Sequence, residues 1–467
     1  MRVVVIGAGA AGLTVAIGLS RLGRDVVLVE SGELGGDCTN VGCVPSKALL
    51  HAAAVGHPDP FGHARAVRDR TRAHDAELVA GADRVELVRG RGRLAGSRRA
   101  GRRRSHVVEV ELTDGGAVEL VADHVVVCTG SRPVVPEVDG LGDDVVLTDE
   151  TVFELDEAPG ALVIVGGGPL GIEMATALRD LGARVDLVER ADRLLATEDP
   201  LVSEAVAGAL GRRGVGVHLS TSLDRVDGRR AHLGDGSALD GVDRVLLAVG
   251  RRPATSELGL EGAGVELTPA GVAVDSWGRT SVDGVWAVGD VTGATATTHG
   301  ASSIARRCVR ALALPLPTSG APPACPSAVY GRPAVASVGL SLDELGALPA
   351  IGRTRRVVDL TELDRGRTDA LAEGVLIVDA ERATGAVLRA SIVGPAAPEL
   401  IGLFTMAIDH GIGLRRLFGM VHPYPSWATA VGELVDDFAQ DTYRSLPREL
   451  LAMVAGRALR RSLRRPR

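Results

Sequence analysis

The chain has 467 residues, more than one hydrophobic core usually serves, so two or three domains are expected. Hydrophobic residues make up 45% and charged residues 24%, a balance that excludes a disordered or fibrous chain. The net charge is −7 and no apolar run reaches the length of a membrane span, so the sequence predicts no nucleic-acid-binding surface and no transmembrane segment. Residues 2–6 open the chain as a strand without signal-peptide features, and we expect a cytoplasmic protein.

The first predicted elements are a buried strand and a glycine-rich turn. Residues 2–6 are apolar, and Gly7, Gly9 and Gly12 follow before an apolar helix, a second strand and Glu30. This order is typical of a dinucleotide-binding βαβ unit. Its first glycine makes a tight turn, its second lets a pyrophosphate approach, and its third lets the helix pack on the strand. The helix N-terminus supplies free amide donors, and the acid accepts hydrogen bonds from a ribose.

A cysteine segment comes next. Of 52 basic residues 51 are arginine, and the one lysine, Lys47, shares a ten-residue stretch with the one asparagine, Asn40, and with Cys38 and Cys43. Arginine replaces lysine freely on a surface, but not where a compact ammonium must fit. On an ideal helix the two cysteine Cα atoms would be about 8.7 Å apart, whereas a disulfide needs less than about 7 Å. The segment must therefore distort, which Gly42 permits, and a strained bridge suits redox use.

Two alternatives to a redox-active disulfide stay open at this point. The pair could be two free buried cysteines or half of a metal site. No second close Cys/His pair follows in the sequence to complete a zinc site, so we predict no metal. The remaining cysteines, Cys128, Cys308 and Cys325, are expected to be small buried hydrophobic residues.

The second half of the chain repeats the first motif. Residues 161–190 match residues 2–31 at 12 of 30 positions. The corresponding residues of the second copy are Gly166, Gly168, Gly171 and Glu189. Two copies in register predict binding of two dinucleotides, or parts of two.

Three further apolar strands end in glycine turns, and a different pattern follows them. The turns carry Thr129-Gly130, Gly250 and Gly289-Asp290. From about residue 326, alternating strands precede a helical stretch over 398–410, which predicts a separate α+β domain.

Residues 35–47, Gly-Gly-Asp-Cys-Thr-Asn-Val-Gly-Cys-Val-Pro-Ser-Lys, resemble the active-site signature of the class I pyridine nucleotide–disulfide oxidoreductases. That family includes dihydrolipoamide dehydrogenase, glutathione reductase and mercuric reductase. The resemblance covers nearly the whole chain, through both glycine motifs, the three turns, residues 250–253 and residues 335–339. It implies an α/β fold with two Rossmann-like dinucleotide-binding domains, for FAD and NAD, and a C-terminal α+β dimerisation domain. The expected boundaries are 1–150 and 271–322 for the FAD domain, 151–270 for the NAD(P) domain, 323–445 for the dimer interface and 446–467 for a basic tail.

The same resemblance implies site roles. Cys43 would face the flavin, and Cys38 would be the interchange thiol with a lowered pKa. Lys47 would lie near the flavin, paired with Glu173. Electrons would pass from NAD(P)H through FAD to the Cys38–Cys43 disulfide. The residues expected to hold FAD are Gly7, Gly9, Gly12, Glu30 (adenosine ribose), Gly36, Lys47, Thr129, Gly130, Gly289 and Asp290 (ribityl chain). Those expected to hold the nicotinamide cofactor are Gly166, Gly168, Gly171, Glu189 and Gly250.

Glu189 favours NADH over NADPH, because its carboxylate would repel a 2′-phosphate. Arg190 and Arg193 lie close in sequence and could soften that repulsion.

One signature of the family is altered. Disulfide reductases carry His-x-His-Pro-Thr-x-Ser-Glu near the C-terminus, where the histidine is the acid–base group for thiol exchange. Here the stretch 422–429 reads His-Pro-Tyr-Pro-Ser-Trp-Ala-Thr. One alignment puts Tyr424 at the histidine and Thr429 at the glutamate, and the other makes His422 the base opposite Trp427. In either alignment the family's histidine–glutamate pair is broken. Mercuric reductases also use tyrosine here but carry a C-terminal cysteine pair, which this chain lacks.

We therefore predict an FAD-dependent NAD(P)H oxidoreductase, a homodimer, that reduces a disulfide or thiol-reactive acceptor, either a small molecule or a small protein. One alternative is a flavin reductase of quinones, metal ions or oxidants that bypasses the cysteines. Another is a non-turnover flavoprotein with a binding or regulatory role. For the arginine-rich end, Arg457–Arg467, we favour a solvated helix end over a membrane-binding helix.

Overall fold

The structure is a computed structural model that describes residues 1–100, 103–293, 297–314 and 320–444. The chain folds into two compact units. The first comprises Met1–Glu137, Val146–Ala158 and Leu246–Pro323, and the second comprises Val138–Val145, Pro159–Val245 and the chain from Ala324 onward. The expected basic tail lies outside the described residues. Within the described residues, the helices are all too short or too polar to cross a lipid bilayer.

The first unit is built on a seven-stranded sheet. Its strands, in spatial order, are Val285–Ala287, His124–Val127, Arg2–Ile6, Asp25–Glu30, Val85–Ala100, Arg103–Leu112 and Ala117–Ala122. The first four pairings are parallel and the last two are antiparallel. Val3, Val4 and Val5 are fully buried, as expected of a parallel strand that is covered on both faces.

Helices cover one face of this sheet, and the antiparallel strands fold over the other. The helices of the first unit are Ala10–Arg21 (α1), Gly36–Asn40 (α2), Cys43–Ala54 (α3), Pro60–Ala80 and Thr298–Ala313. Leu19 of α1 packs with Val309 and Leu312 in one hydrophobic cluster. Val27 and Val108 belong to the cluster on the opposite face. The amino end of α1 is thereby fixed at the carboxyl edge of the parallel strands.

The chain returns to the first unit earlier than the expected boundary at residue 270. Residues Leu246–Pro323 belong to this unit. Leu258, Leu260 and Val265 are buried in its second cluster, and the amide of Leu94 donates to the carbonyl of Leu258 at 2.8 Å. These apolar residues carry no periodic pattern that assigns them to one sheet, so the sequence alone does not indicate this return. The first unit also contains short strands at Ser131–Pro133, Val146–Leu147, Arg251–Pro253, Leu267–Thr268 and Gly271–Val272, and 3-10 turns at Val152–Glu154 and Asp290–Thr292.

The second unit begins with the repeated motif. Ala161–Val165, Arg184–Val188 and Gly216–His218 form parallel pairs, with Arg184–Val188 in the middle. The helices Pro169–Asp180 and Pro200–Arg212 follow the first two strands. A small antiparallel sheet of Leu223–Asp227, Arg230–Leu233 and Ala238–Asp240 precedes Arg244–Leu247, where the chain leaves the unit.

The α+β segment predicted from about residue 326 is confirmed. Five antiparallel strands have the spatial order Ser327–Val329, Val335–Gly339, Val387–Val393, Val375–Glu381 and Arg353–Asp359. Its helices are Leu342–Gly346, Asp364–Thr368, Ala397–Asp409, Leu414–Leu417 and Thr429–Arg444, with a 3-10 turn at Ala350–Gly352. Phe404 and Phe438 fill its core, at 0% and 2% exposure. Two of these helices, Ala397–Asp409 and Thr429–Arg444, lie in sequence on either side of the altered family signature.

Candidate active site

The two glycine turns have the same internal geometry. A Cβ on Gly12 would overlap the carbonyl oxygen of Gly7, and a Cβ on Gly171 would overlap that of Gly166. A Cβ on Gly9, in contrast, would lie 3.7 Å from the nearest atom, the Cα of Gly36. For Gly168, the second glycine of the other turn, no atom lies within 4 Å. The third glycine of each motif is thus required for packing, whereas the second leaves open space that a side chain would fill. This is the arrangement that a dinucleotide pyrophosphate needs.

The two glutamates are held alike. Glu30 Oε2 accepts a hydrogen bond from the amide of Ala8 at 2.6 Å, and Oε1 accepts one from Gly32 at 2.7 Å. Glu189 Oε2 and Oε1 accept from the amides of Gly167 and Ala191, at 2.6 and 2.7 Å. Each carboxylate therefore lies against its own glycine turn, with further lone pairs that a ribose hydroxyl could use.

The other residues expected around FAD gather at the amino end of α1. Gly9 forms a parallel β-bridge with Gly35. A Cβ on Gly289 would lie 3.3 Å from the Cβ of Ala11, so the Gly289-Asp290 turn borders the first turn of α1. The hydroxyl of Thr129 donates to the carbonyl of Ala254 at 2.9 Å. The structure thus brings the first glycine turn, residues 35–36 and the 289–290 turn together.

The cysteine segment is distorted as its spacing predicted. Helix α2 ends at Asn40 and helix α3 begins at Cys43, with Gly42 between them at φ −121° and ψ −117°. Cys38 and Cys43 are free thiols that share a side-chain hydrogen bond. Cys43 Sγ also lies 3.7 Å from Oγ1 of Thr298, the first residue of another helix. The two sulfurs are therefore within interaction distance and beside the first dinucleotide turn.

The expectation of a lowered pKa for Cys38 differs from what the structure gives. The pKa of Cys38 is raised, first by its hydrogen bond to Cys43, then by burial and by the charge of Cys43, while the hydroxyl of Thr298 opposes the rise. Two thiols this close titrate as a pair, so the loss of one proton makes the second harder to remove. The pair as a whole therefore holds its second proton tightly, and attack by a thiolate on an acceptor depends on a base that removes a proton from the pair.

Asn40 and Glu173, two residues that the sequence singled out, have well-defined partners. The amide of Asn40 donates to the carbonyls of Leu34 and Gly36, at 3.0 and 2.9 Å, and its oxygen accepts from Arg72 at 2.8 Å. A side chain with both donors and an acceptor is needed there, which explains why the one asparagine is retained. Glu173 is buried and accepts from the amide of Tyr330 at 3.0 Å.

The half-buried Lys47 follows Cys43 by four residues, one turn along α3. Lys47 belongs to the first unit and Glu173 to the second, so their pairing stays a prediction.

The altered C-terminal signature has a carboxylate partner that the sequence did not indicate. The hydroxyl of Tyr424 donates to Oδ2 of Asp364 at 2.6 Å, and this hydrogen bond raises the pKa of Tyr424 further above its usual value of about 10. Tyr424 is 74% exposed, whereas Nε2 of His422 is buried with no hydrogen-bond partner among the described residues. Neither side chain therefore forms a histidine–carboxylate dyad with the described residues of its own chain.

Sequence reasoning missed three residues of the first unit: Thr298, Ser131 and Arg251. Arg251 donates to Asp37, Ser131 and Asp149, and Ser131 in turn donates to Asp290 at 3.1 Å. The Gly-Arg-Arg-Pro stretch was an available signal for Arg251. No local signal marks Thr298, because the fold brings it to Cys43 from 255 residues away.

The other three cysteines differ in their burial. Cys128 and Cys308 are buried, and burial raises the pKa of each. Cys325 is exposed, so its expected burial is wrong. It precedes a proline outside the strands of the C-terminal sheet, where no packing covers it. No group of histidine, cysteine and acidic side chains in the described part of the chain is arranged to hold a metal ion.

Two dinucleotide turns in separate units, and a thiol pair beside the first of them, define a nicotinamide-dependent redox enzyme. The chain belongs to the pyridine nucleotide-disulphide oxidoreductase family. The family's sequence profile matches residues 1–305, and the profile of its dimerisation domain matches residues 325–435. The protein is accordingly an FAD-dependent NAD(P)H oxidoreductase of the disulfide reductase class, and the dimerisation domain supports a homodimer.

Known proteins of this family resemble the chain over almost its full length. A mercuric reductase of Streptomyces lividans is 34% identical over 471 residues, covering 94% of this chain and 96% of the relative. A dihydrolipoyl dehydrogenase of Chlorobaculum tepidum is 34% identical over 470 residues, covering 94% and 97%. Among solved structures, the HOCl-induced flavoprotein disulfide reductase RclA of Escherichia coli has a TM-score of 0.83 at 26% identity, covering 93% and 99%.

Gly9 and Gly12 provide a matched pair of substitutions. Gly12→Ala should lower the free energy of unfolding of the FAD-free protein by about 2–3 kcal/mol, because the methyl group overlaps the Gly7 carbonyl. Gly9→Ala should leave that stability unchanged but weaken FAD binding, because its methyl group occupies only the open space. Denaturant unfolding and FAD titration measure the two effects. Equal stability losses in both variants would contradict the assignment.

Proposed function

We propose that this protein transfers two electrons from NADH, through FAD, to a disulfide between Cys38 and Cys43, and from there to a thiol-reactive acceptor. The nearness of the two sulfurs, at the break between α2 and α3 and beside the FAD turn, is the observation that carries this proposal. The net reaction at the cysteines is NADH + H⁺ + disulfide → NAD⁺ + two thiols. When bound, FAD supplies the hydride-accepting centre.

The proposed roles follow from position. Cys43, whose sulfur lies 3.7 Å from the Thr298 hydroxyl, is the proposed flavin-facing sulfur, and Cys38 is the proposed interchange thiol. Lys47, one turn after Cys43, provides a positive charge near the flavin, and Glu173 is its proposed partner. Gly36, Thr129, Gly130, Gly289 and Asp290 complete the proposed FAD site with the first glycine turn.

Anaerobic titration with NADH tests this route. The first two electrons should expose two new thiols and produce a long-wavelength absorption band while the flavin stays oxidised. In Cys38→Ser the flavin should bleach directly, with no new thiols. A wild-type protein that bleaches directly and exposes no thiols would instead support the alternative in which the flavin reduces quinones, metal ions or oxidants without the cysteines.

The acceptor that we favour is one that needs no proton from the enzyme. Reduction of a disulfide acceptor releases a thiolate that must be protonated, and Cys38 must first lose its own proton. Tyr424, hydrogen-bonded to Asp364, is a poor base for removing the thiol proton at neutral pH, and its raised pKa also makes it a weak acid for protonating the released thiolate. Electrophiles that bind sulfur directly, such as soft metal ions or reactive oxidants, depend less on this group than lipoamide does. The mercuric reductase of S. lividans, similar along its length, supports this class of acceptor.

Restoring the dyad should restore disulfide turnover. We expect low lipoamide activity in the wild type and an increase of about tenfold or more in the double variant Tyr424→His, Thr429→Glu, since a positioned general base typically contributes at least that much. Thr429→Glu alone is the matched control and should give no gain. Steady-state rates with lipoamide and NADH measure the effect. High wild-type activity, or no gain in the double variant, would argue against the missing base.

The proposed NADH preference rests on the surroundings of Glu189. Its carboxylate is fixed at the second glycine turn by two backbone amides. Arg193 donates to the carbonyl of Ala196 at 2.7 Å and lies 3.6 Å from Asp192, which reduces its availability to a 2′-phosphate. Arg190 is exposed and is the remaining cation nearby that could accept one.

Removing the Glu189 carboxylate should shift this preference. Like charges about 4 Å apart near a protein surface repel by about 4 kcal/mol before screening, so Glu189→Ala should lower the NADH-to-NADPH ratio of kcat/KM by about tenfold or more. Glu204→Ala, at an exposed position of the same unit, should leave the ratio unchanged. The ratio from initial rates with each cofactor decides the matter, and an unchanged ratio in Glu189→Ala would remove this basis for NADH selectivity.

A further inference from the structure

The first unit contains a cluster of acidic side chains around one arginine, which the family signature did not indicate. Arg251 donates to the carboxylates of Asp37 and Asp149, and its Nε and Nη2 donate to the hydroxyl and carbonyl oxygens of Ser131 at 2.9 and 3.0 Å. The hydroxyl of Ser131 continues the chain to Asp290 at 3.1 Å. One guanidinium thus connects the cysteine helix α2, the strand after Thr129-Gly130 and, through Ser131, the proposed ribityl-binding acid.

The acids of this cluster oppose one another. Burial raises the pKa of Asp37, Arg251 lowers it, and the charges of Asp149, Asp290 and Glu150 raise it further. The pKa of Asp290 is likewise raised by burial and lowered by the Ser131 hydrogen bond and by Arg251. Arg251 is therefore the cation that opposes the rise in the pKa of both carboxyls.

Asp37 lies close to the place where the FAD pyrophosphate would bind. It follows Gly36, whose Cα is 3.7 Å from the Cβ position of Gly9, the glycine that leaves open space. Its Oδ2 is also 3.9 Å from the Cβ position of Gly130. Nearly half of its side chain is exposed, at 46%. A pyrophosphate on α1 would therefore face a carboxylate, and two like charges at such a distance repel strongly unless a cation compensates.

We infer that Arg251 is a positioning residue for FAD: it neutralises Asp37 beside the pyrophosphate and ties the cysteine helix to Asp290. The inference rests on the proposed placement of FAD on the first glycine turn. Arginine suits the task because its planar guanidinium donates to several acceptors at once, which an ammonium in a fixed place does not match. It also accounts for an acidic residue at position 37, directly before Cys38.

Substitutions that remove one charge at a time test the inference through FAD binding, without a measurement of enzyme activity. FAD is removed from the full-length protein and titrated back, and the dissociation constant is measured by flavin fluorescence. Arg251→Gln should weaken FAD binding by about tenfold or more, because it leaves Asp37 and Asp149 without their cation. Asp37→Asn should bind at least as tightly as the wild type. The double variant Asp37→Asn, Arg251→Gln should recover most of the lost affinity.

The outcomes separate this inference from its rivals. If Arg251 only maintains the fold, the double variant will bind FAD as weakly as Arg251→Gln, which overturns the inference. If Arg251→Gln binds FAD like the wild type, the inference also fails, while the proposed function stands. If Arg251→Gln does not fold, Asp37→Asn alone decides: weaker binding than wild type contradicts a repulsive role of Asp37. A wild-type protein that binds no FAD would instead refute the proposed function itself.

Discussion

The close approach of two backbones holds the site together. Gly9 of the nucleotide turn pairs with Gly35, and Gly36 lies beside it, so the cysteine segment touches the amino end of α1. A side chain on Gly36 would overlap the Cα of Gly9 and push the thiols away from the place proposed for the flavin. The position of Cys38 and Cys43, the space at Gly9 and the network around Asp37 all depend on this contact.

The sequence predicted the parts of the molecule that are encoded locally. Glycine spacing, apolar strands and the acid at each strand end are short-range patterns, and both turns have the geometry that those patterns require. The break in the helix before Cys43 was also predictable, since an unbroken helix would hold the cysteines too far apart. What could not be predicted are contacts between distant segments, such as Thr298 on Cys43 or Asp364 on Tyr424. The return of the chain to the first unit at Leu246 was not predicted for the same reason, because a continuous apolar strand carries no signal for the sheet that it joins.

The proposed acid–base chemistry of the thiol pair depends on residues near both ends of the sequence. A sulfur pair that shares a hydrogen bond stores its electrons in a protonated form, and its release to an acceptor depends on the acid–base group supplied elsewhere. In the proposed route, tyrosine stands in place of that group and a carboxylate strengthens its hold on the phenolic proton, so the route keeps the electron-accepting half of the family's chemistry and alters the electron-donating half. Divergence in such a family can thus change the oxidising substrate while the reducing half-reaction stays constant.

The way each glutamate is held by its own turn has a consequence for ligand exchange during the catalytic cycle. FAD stays on such an enzyme, whereas the nicotinamide enters and leaves in every cycle, yet Glu30 and Glu189 receive the same two amide hydrogen bonds. The chain's own backbone amides therefore hold the acid of each turn in the same way, without a contribution from the ligand. The time that each ligand stays bound is then governed by the contacts that it makes beyond the turn. One repeated loop can therefore serve both a permanently bound ligand and one that exchanges.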